Sequence, residues 1–339
     1  MKHSLLVLFG SALLCGPMAA TAQQYGDFTY TTNAGAVTIT GYTGSGGPVT
    51  IPSTMNGLPV VSIGVRAFFG FSSVTSLAIP SGVTNIGDLA FGWTGMTNIT
   101  IPGSVSGIGA TVFFICSNLT AITVDAQNPF YSSVGGVLFD KSQTTLVEYP
   151  DGLTGSYTIP TGVTTLEKRS FVACQLSSVT IASSVTRIGA SAFQNCYGLT
   201  NATIAGSLTN LGDYAFADCP FLRCVFFMGN APPHISLSQF AFNGVQEGSI
   251  WFLPGSTGWP PAFGGSWDPF VQAAGVQGSE FTLEISTTGY IPVLVEASTN
   301  LTTGAWIPLG ASFPAPNLYQ FRDPDWTLYP ARFYRIRPF

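Results

Sequence analysis

Short runs of alternating apolar and polar residues recur along the chain at a regular spacing. Alternation over four or five residues is the periodicity of a β-strand that buries one side. Proline cannot donate to a strand ladder, so it marks the end of most of these runs. The runs close at Ile51-Pro52, Ile79-Pro80, Ile101-Pro102 and Ile159-Pro160, with the variants Ile181-Ala182 and Ile204-Ala205. The pattern predicts one short strand in each of a series of units.

A second motif accompanies each run. It consists of an aliphatic residue, a next residue that is usually Gly, two variable residues, a small residue and Phe. Most of these phenylalanines lie 22 or 23 residues apart, and the 58-residue gap between Phe113 and Phe171 holds a longer, irregular unit. One such unit cannot bury its own apolar side, whereas stacked units bury theirs in continuous columns. The repeat therefore predicts a mainly β solenoid. Its phenylalanines are Phe68, Phe91, Phe113, Phe171, Phe193, Phe216 and, in a degenerate copy, Phe242.

Four cysteines are in register with the repeat. Cys116, Cys174, Cys196 and Cys219 each stand three residues after a repeat phenylalanine. This placement favours a buried structural column of free thiols that act as small apolar fillers. A disulfide between adjacent units and a thiolate metal site are the alternatives, and metal is disfavoured because the mature chain has one histidine and no CxxC pair. Cys224 lies outside the register, which leaves both a bond to Cys219 and a free thiol open.

The N-terminal segment has the features of a secretory signal peptide. A basic start precedes an apolar run from Leu5 to Leu14 that is too short to span a bilayer. Ala20-Thr21-Ala22 supplies the small residues of a cleavage site. A lipoprotein signal centred on Cys15 is disfavoured because leucine precedes that cysteine. We therefore expect residues 1–22 to be removed and the exported chain to begin at Gln23.

Composition and charge exclude several classes of protein. Hydrophobic residues make up 46% of the chain and charged residues only 8%, whereas disordered chains combine low hydrophobicity with high charge. The net charge of -5 gives no broad basic footprint for nucleic acid. Pro and Gly interrupt every later apolar run, so no integral membrane segment is expected in the mature chain. His234 is the only mature histidine able to activate a nucleophile, and no P-loop is present. We predict no catalytic residue, cofactor or metal site.

The alternating strand pattern also predicts a row of residues that face away from the core. The residue between the two inward aliphatics of each strand must face away from the core. Threonine is a common solvated strand residue, which is the simplest interpretation of the row. The functional alternative is an uncharged, hydroxyl-bearing platform for a glycan or a partner protein. The row reads Thr50, Ala78, Thr100, Thr123, Thr158, Thr180, Thr203 and Phe226.

Three tryptophans, Trp251, Trp259 and Trp267, lie in the segment that closes the repeats. Exposed aromatic rings suit stacking against sugars. We favour the other interpretation, in which they seal the open end of the solenoid, because the last repeat of a stack needs a cap.

The repeat resembles the BspA-like leucine-rich-repeat family of bacterial surface proteins. The resemblance is clearest in Leu176 to Cys196 and in Leu199 to Cys219, and it covers roughly residues 25 to 263. The irregular unit, with Asn128 to Ser133 followed by Gly136 to Asp140, is similar to that family's inserted hairpin unit. The resemblance implies a leucine-rich-repeat solenoid exposed outside the cell, with adhesion or recognition roles in some members and no catalytic residues. Glu167 replaces the usual Gly, which leaves the turn of that unit open.

The C-terminal segment has a different pattern. Short strand-like runs separated by Pro, Gly and Asn predict a small β-sandwich-like module over residues 277–339. It resembles C-terminal β modules found on secreted proteins of environmental bacteria, and its position suggests attachment, sorting or capping. Residues 23–276 then form the solenoid, with an N-terminal hairpin cap and a C-terminal cap.

These observations predict an exported, non-enzymatic binding or adhesion protein, secreted or held at the cell surface. Its expected partner is an extracellular protein or glycan that the solenoid face recognises. The alternatives are a self-associating scaffold of the cell envelope and an accessory protein that presents polysaccharide to enzymes.

Overall fold

The structure is a computed structural model that describes most of the chain after residue 21. The predicted signal peptide, apart from its last residue, lies outside the described residues, as does His234. The described ranges are 22–233, 239–245, 250–252, 256–259, 265–266, 270–286, 293–299, 305–312, 319–328 and 332–338. Within them no helix is long and apolar enough to cross a bilayer.

Most repeats contribute one strand to a front sheet and one to a second sheet. The front strands are β4 (Gly47–Thr50), β7 (Val74–Ala78), β9 (Asn98–Ile101), β11 (Ala121–Val124), β15 (Gly155–Thr158), β17 (Leu176–Ile181), β19 (Asn201–Ile204), β21 (Cys224–Phe227), β22 (Ile250–Phe252) and β23 (Gly265–Ser266). They pair in parallel with equivalent residues opposite one another, as Thr180 lies opposite Thr203. Three separate ladders result: β4 with β7, β9 with β11, and β15 through β23. The predicted β solenoid is confirmed.

The second sheet is built from shorter strands. Its strands are β6 (Leu58–Ile63), β8 (Asn85–Ile86), β10 (Gly107–Ile108), β14 (Thr145–Glu148), β16 (Thr165–Leu166), β18 (Arg187–Ile188) and β20 (Asn210–Leu211). They form two ladders, which are separated between β10 and β14. Antiparallel strands precede β6, and a short hairpin strand, β5, pairs with it. The ranges of these capping strands are β1 (Gln23–Tyr25), β2 (Phe28–Asn33), β3 (Ala36–Tyr42) and β5 (Thr54–Met55). They cover the N-terminal end of the stack.

The third side of the stack consists of turns around the repeat phenylalanines. In most of these turns the Phe amide donates to a carbonyl of the next unit, as Phe91 N–H does to Val112 O over 3.0 Å. The residues two before and two after Phe have positive φ, for example Leu89 at 56° and Trp93 at 60°. Residues other than Gly rarely adopt this conformation. Here it directs further amides along the stack, and Trp93 N–H reaches Phe114 O at 2.8 Å.

The phenylalanine rings form an aromatic column inside the stack. Neighbouring ring centroids lie 4.6 Å apart for Phe171 and Phe193, and 4.9 Å apart for Phe193 and Phe216. Tyr42 covers the N-terminal end of the column at 5.4 Å from Phe68. In the irregular unit Tyr149 takes the place of Phe, with its ring 4.8 Å from Phe171.

Glycine sets how closely the turns approach one another. A Cβ atom added at Gly109 or Gly212 would lie 2.4 Å from a backbone nitrogen of the preceding unit, and Gly87 and Gly189 are almost as tight. Glu167 stands at the equivalent position, and its amide donates to Leu146 O at 3.0 Å just as the amide of Gly189 donates to Leu166 O at 2.9 Å. The turn that follows Glu167 keeps its usual hydrogen bond.

The irregular unit inserts a hairpin of β12 (Tyr131–Val134) and β13 (Val137–Asp140). Asn128, which is fully buried, fixes the hairpin because its amide donates to the carbonyls of Pro102 and Val105 at 2.8 and 2.9 Å. The apolar core divides here. Leu138 packs into the N-terminal cluster, whereas Val137 packs into the C-terminal cluster. The solenoid therefore has two cores that meet at one seam.

Two carboxyl groups bridge this seam in place of backbone carbonyls. The amide of Phe113 donates to Oε1 of Glu148 at 3.0 Å instead of to a backbone oxygen. The amides of Ile115 and Cys116 donate to the carboxyl group of Asp151. Both side chains are buried, and Oδ2 of Asp151 has no hydrogen-bond partner among the described residues. Burial raises the pKa of Glu148 to about 7, and burial followed by the nearby Glu148 raises the pKa of Asp151.

The C-terminal residues form two three-stranded antiparallel sheets. One has the order β24–β25–β28 and the other β27–β26–β29. The predicted boundary at residue 277 falls at the end of the first of these strands. Inside the module, the buried carboxylate of Asp323 pairs with Arg332 at 3.0 Å and accepts from the Tyr334 hydroxyl at 2.8 Å. The strands are β24 (Phe270–Gln277), β25 (Glu280–Ser286), β26 (Val293–Ser298), β27 (Ile307–Ser312), β28 (Tyr319–Asp323) and β29 (Phe333–Pro338).

The seam makes stability depend on pH. The pKa of Glu148 is about 7 in the folded chain and 4.5 for an ordinary glutamate, so the folded state holds a proton that the unfolded state has released. The contribution of this group is therefore fully present below pH 4.5 and is lost as the pH rises through 7. We expect the free energy of unfolding, measured by urea denaturation, to fall by about 2–3 kcal/mol between about pH 5 and 8.

The substitution Glu148→Gln tests the source of this slope. Glutamine still accepts from the Phe113 amide and cannot ionise, so the free energy of unfolding should vary less with pH. Glu167, Lys168 and Asp88 line the groove beside Glu148. The exposed Glu167→Gln variant is the matched control and should keep the wild-type slope. An unchanged slope in Glu148→Gln would contradict the assignment.

Close stacking at the glycine column gives a second prediction. Gly212→Ala forces a methyl group against the backbone of Ala190, so the units must move apart. Overpacking of this kind costs about 1–3 kcal/mol. Thermal unfolding followed by circular dichroism should show a lower Tm. Gly275→Ala is the control, since nothing lies within 4 Å of a Cβ atom there, and its Tm should stay close to that of the wild type.

Candidate binding face

The outward residues of the front strands align with one another within each of the three front ladders. Ala121 to Val124 align with Asn98 to Ile101, and Ser156 to Thr158 align with Ser178 to Thr180. Alternate residues of each strand point into the core, so the threonines between them point out. Six members of the row are exposed: Thr50, Ala78, Thr100, Thr123, Thr158 and Thr180.

The last two members of the row are covered, and here the expectation of an accessible face needs correction. Phe226 points away from the solenoid core as expected, yet it is only 1% exposed, and Thr203 is 9% exposed. Phe226 packs in an apolar cluster with Val293 of the C-terminal module, and Tyr319 borders that cluster. A residue that faces outward on its own strand is thus buried by a later part of the chain. The accessible row runs from Thr50 to Thr180.

The accessible face carries almost no charge. A second outward column runs beside the threonine row and contains no acidic or basic residue. Asp125 is the one charged side chain at the border of the groove described below. The second column is Pro48, Ser76, Asn98, Ala121, Ser156 and Ser178. The face therefore offers hydroxyl and amide groups for hydrogen bonding, with little electrostatic steering.

A groove of about 470 Å³ opens in the N-terminal part of this face, between β7 and β9. Its rim includes Thr50, Ala78 and Thr100 from the row, and Leu77 and Ile99 form apolar parts of its lining. It lies where one front ladder ends and the next begins. No sequence pattern indicates this groove, because a break between two ladders depends on how successive units pack against each other.

The four register cysteines lie in a buried column, and all five cysteines of the described chain are free. Sγ of Cys174 lies 3.3 Å from Sγ of Cys196, and the Cys196 thiol donates to the carbonyl of Phe171 at 3.0 Å. Burial raises the pKa of Cys116 to about 12 and also raises that of Cys196. The raised pKa values of Cys116 and Cys196 disfavour the thiolate that nucleophilic or metal chemistry needs.

Cys224 does not join this column. It lies on the outer side of β21 in the cluster with Phe226, whereas Cys219 packs in the solenoid core. The two thiols are therefore on opposite sides of the sheet. Burial raises the pKa of Cys224 to about 12 as well. Among the described residues, no cluster of three or more His, Cys, Asp and Glu side chains is arranged to hold a metal ion.

Two of the three closing tryptophans lie in described parts of the chain. The ring of Trp259 stacks on Phe252 at 5.0 Å and contacts Phe227 at 4.6 Å, and its indole donates to Gly229 O at 3.3 Å. Trp251 borders the apolar cluster beneath the C-terminal module. Trp267 lies outside the described residues. These contacts give Trp259 a packing role at the end of the solenoid.

Comparisons with known proteins point to one family. The family described as BspA type leucine rich repeat region matches residues 48–157 and 153–253, in six copies. In a search of the curated proteins, no sequence matched the chain.

Solved structures of bacterial repeat proteins resemble the chain at low sequence identity. A leucine rich cell surface protein from Faecalibacterium prausnitzii is 21% identical, with 73% of this chain and 94% of that chain covered and a TM-score of 0.44. A leucine-rich repeat protein from Eubacterium ventriosum is 21% identical, with 68% and 76% covered and a TM-score of 0.46. A leucine rich repeat protein from T. pallidum is 26% identical, with 63% and 84% covered and a TM-score of 0.36.

The family assignment rests on the matched repeats, whose phenylalanine turns and front strands the structure shows unit by unit. The chain belongs to the BspA-type leucine-rich-repeat family.

Proposed function

We propose that this chain is an exported, non-enzymatic binding protein that recognises an extracellular protein or glycan through its front face. The observation that carries the proposal is the accessible, uncharged row from Thr50 to Thr180. Its hydroxyl groups stand on paired strands whose inward residues are fixed in the core. Binding groups held on rigid elements lose little conformational freedom when a partner docks.

Export and a tripartite arrangement belong to the same proposal. Residues 1–22 serve as the signal peptide, residues 23–276 as the solenoid, and residues 277–339 as the C-terminal module. The packing of Phe226 against Val293 supports a capping role for the module at the C-terminal end of the face. The free, buried cysteines support this assignment too, since a stack held by apolar columns needs no disulfide to persist outside the cell.

The proposal predicts saturable binding that a charge on the front face disrupts. Residues 23–339 would be screened against extracellular proteins and glycans by surface plasmon resonance. The variant carrying Thr123→Lys and Thr158→Lys places two charges that a neutral contact must desolvate. We expect its affinity to be weaker by roughly tenfold or more, which corresponds to about 1.4 kcal/mol.

Thr186→Lys provides the matched control because Thr186 is equally exposed but precedes β18 of the second sheet. It should bind as the wild type does. Equal loss in both variants would place recognition elsewhere. No saturable ligand, together with a mass that rises with concentration in light scattering, would replace the proposal with a self-associating scaffold.

A further inference from the structure

One of the breaks in the front sheet separates two strands that are still neighbours in the stack. β4 pairs with β7 and β9 pairs with β11, yet β7 and β9 belong to separate ladders. Among the described residues no strand ladder joins β7 to β9, and the groove on this face opens where the ladder is missing.

The groove over this gap combines polar and apolar surfaces. Ser76, Asn98 and Thr100 supply hydroxyl and amide groups at the rim, while Pro48 and Ile79 supply apolar surface. Its volume of about 470 Å³ lies within the range of small-ligand sites, roughly 300–1,000 Å³. The lining contains no basic residue and a single acidic one, Asp125. Charge complementarity therefore favours a neutral occupant.

The chemistry of the lining discriminates between a sugar and a protein partner. The groove contains no arginine, one of the side chains that anchor protein interfaces. A neutral sugar carries hydroxyl groups that both donate and accept, so it matches the hydroxyl and amide groups of Ser76, Asn98 and Thr100. Its C–H surface can pack against Pro48 and Ile79. We propose that the groove between β7 and β9 binds a residue of a neutral oligosaccharide.

This inference rests on the proposed function and assigns a ligand class to one part of the front face. The probes are cellohexaose, mannohexaose and xylohexaose, with polygalacturonate as the charged comparator. Binding to residues 23–339 would be measured by isothermal titration calorimetry and saturation-transfer NMR. At least one neutral hexasaccharide should bind, and polygalacturonate should not compete with it.

Substitutions then locate the sugar. Ala78 is exposed at the groove rim, so Ala78→Phe fills the groove without disturbing the core. We expect affinity to fall roughly tenfold or more, and Thr100→Phe should act in the same way from the opposite rim. Thr186→Phe is the matched control, since it adds the same ring at an exposed position that lies outside both the groove and the front strands. It should leave affinity unchanged, and unaltered Tm values would show that all three variants fold.

Three results would overturn the inference. Hexasaccharide binding that survives both Ala78→Phe and Thr100→Phe would place the sugar elsewhere and leave the proposed function intact. Absence of hexasaccharide binding alongside a protein ligand on the same face would replace the sugar with a protein. Absence of every ligand would remove the proposed function together with the inference.

Discussion

The hydrogen bonds that run from one unit to the next around the repeat phenylalanines set the spacing of the whole structure. Each turn gives its amides to the carbonyls of the next unit, and it does so by holding residues such as Leu89 and Trp93 at positive φ. This spacing brings the phenylalanine rings into contact and requires Gly where two backbones nearly touch. Within each ladder of the front face, equivalent residues of neighbouring strands lie opposite one another because the units keep the same spacing on their other side.

The seam shows what happens where this constraint cannot be met. The inserted hairpin prevents the backbone bond that Phe113 would otherwise make, and Glu148 reaches across with a side chain. A carboxyl group accepts as a carbonyl does, but it brings a charge that the buried site resists. The chain thus retains a continuous stack at the cost of a group whose protonation matters near neutral pH.

Much of the fold could be predicted from the sequence because the repeat is local and many times copied. The spacing of the phenylalanines predicted the turns of the stack, and the prolines predicted where the front strands end. The cysteines in register with the repeat are buried in the structure. Tyr149 was missed, although it lies 22 residues before Phe171, because only phenylalanine was counted. Phe226 was placed on an accessible face because periodicity shows which side of a strand a residue occupies, whereas its burial comes from Val293, far away in sequence. The groove depends on how two neighbouring units pack against each other, and no short sequence pattern indicates that packing.

The seam also has a mechanical consequence. A chain that is held at one end and grips a partner through its front face transmits force from unit to unit. Most steps along the stack resist with several backbone bonds and a pair of stacked rings. At the seam the side chains of Glu148 and Asp151 replace some of these backbone contacts. Among the described residues no ring contact joins Phe113 to Tyr149. Under tension the solenoid would part there first, leaving two halves that each keep a core of their own.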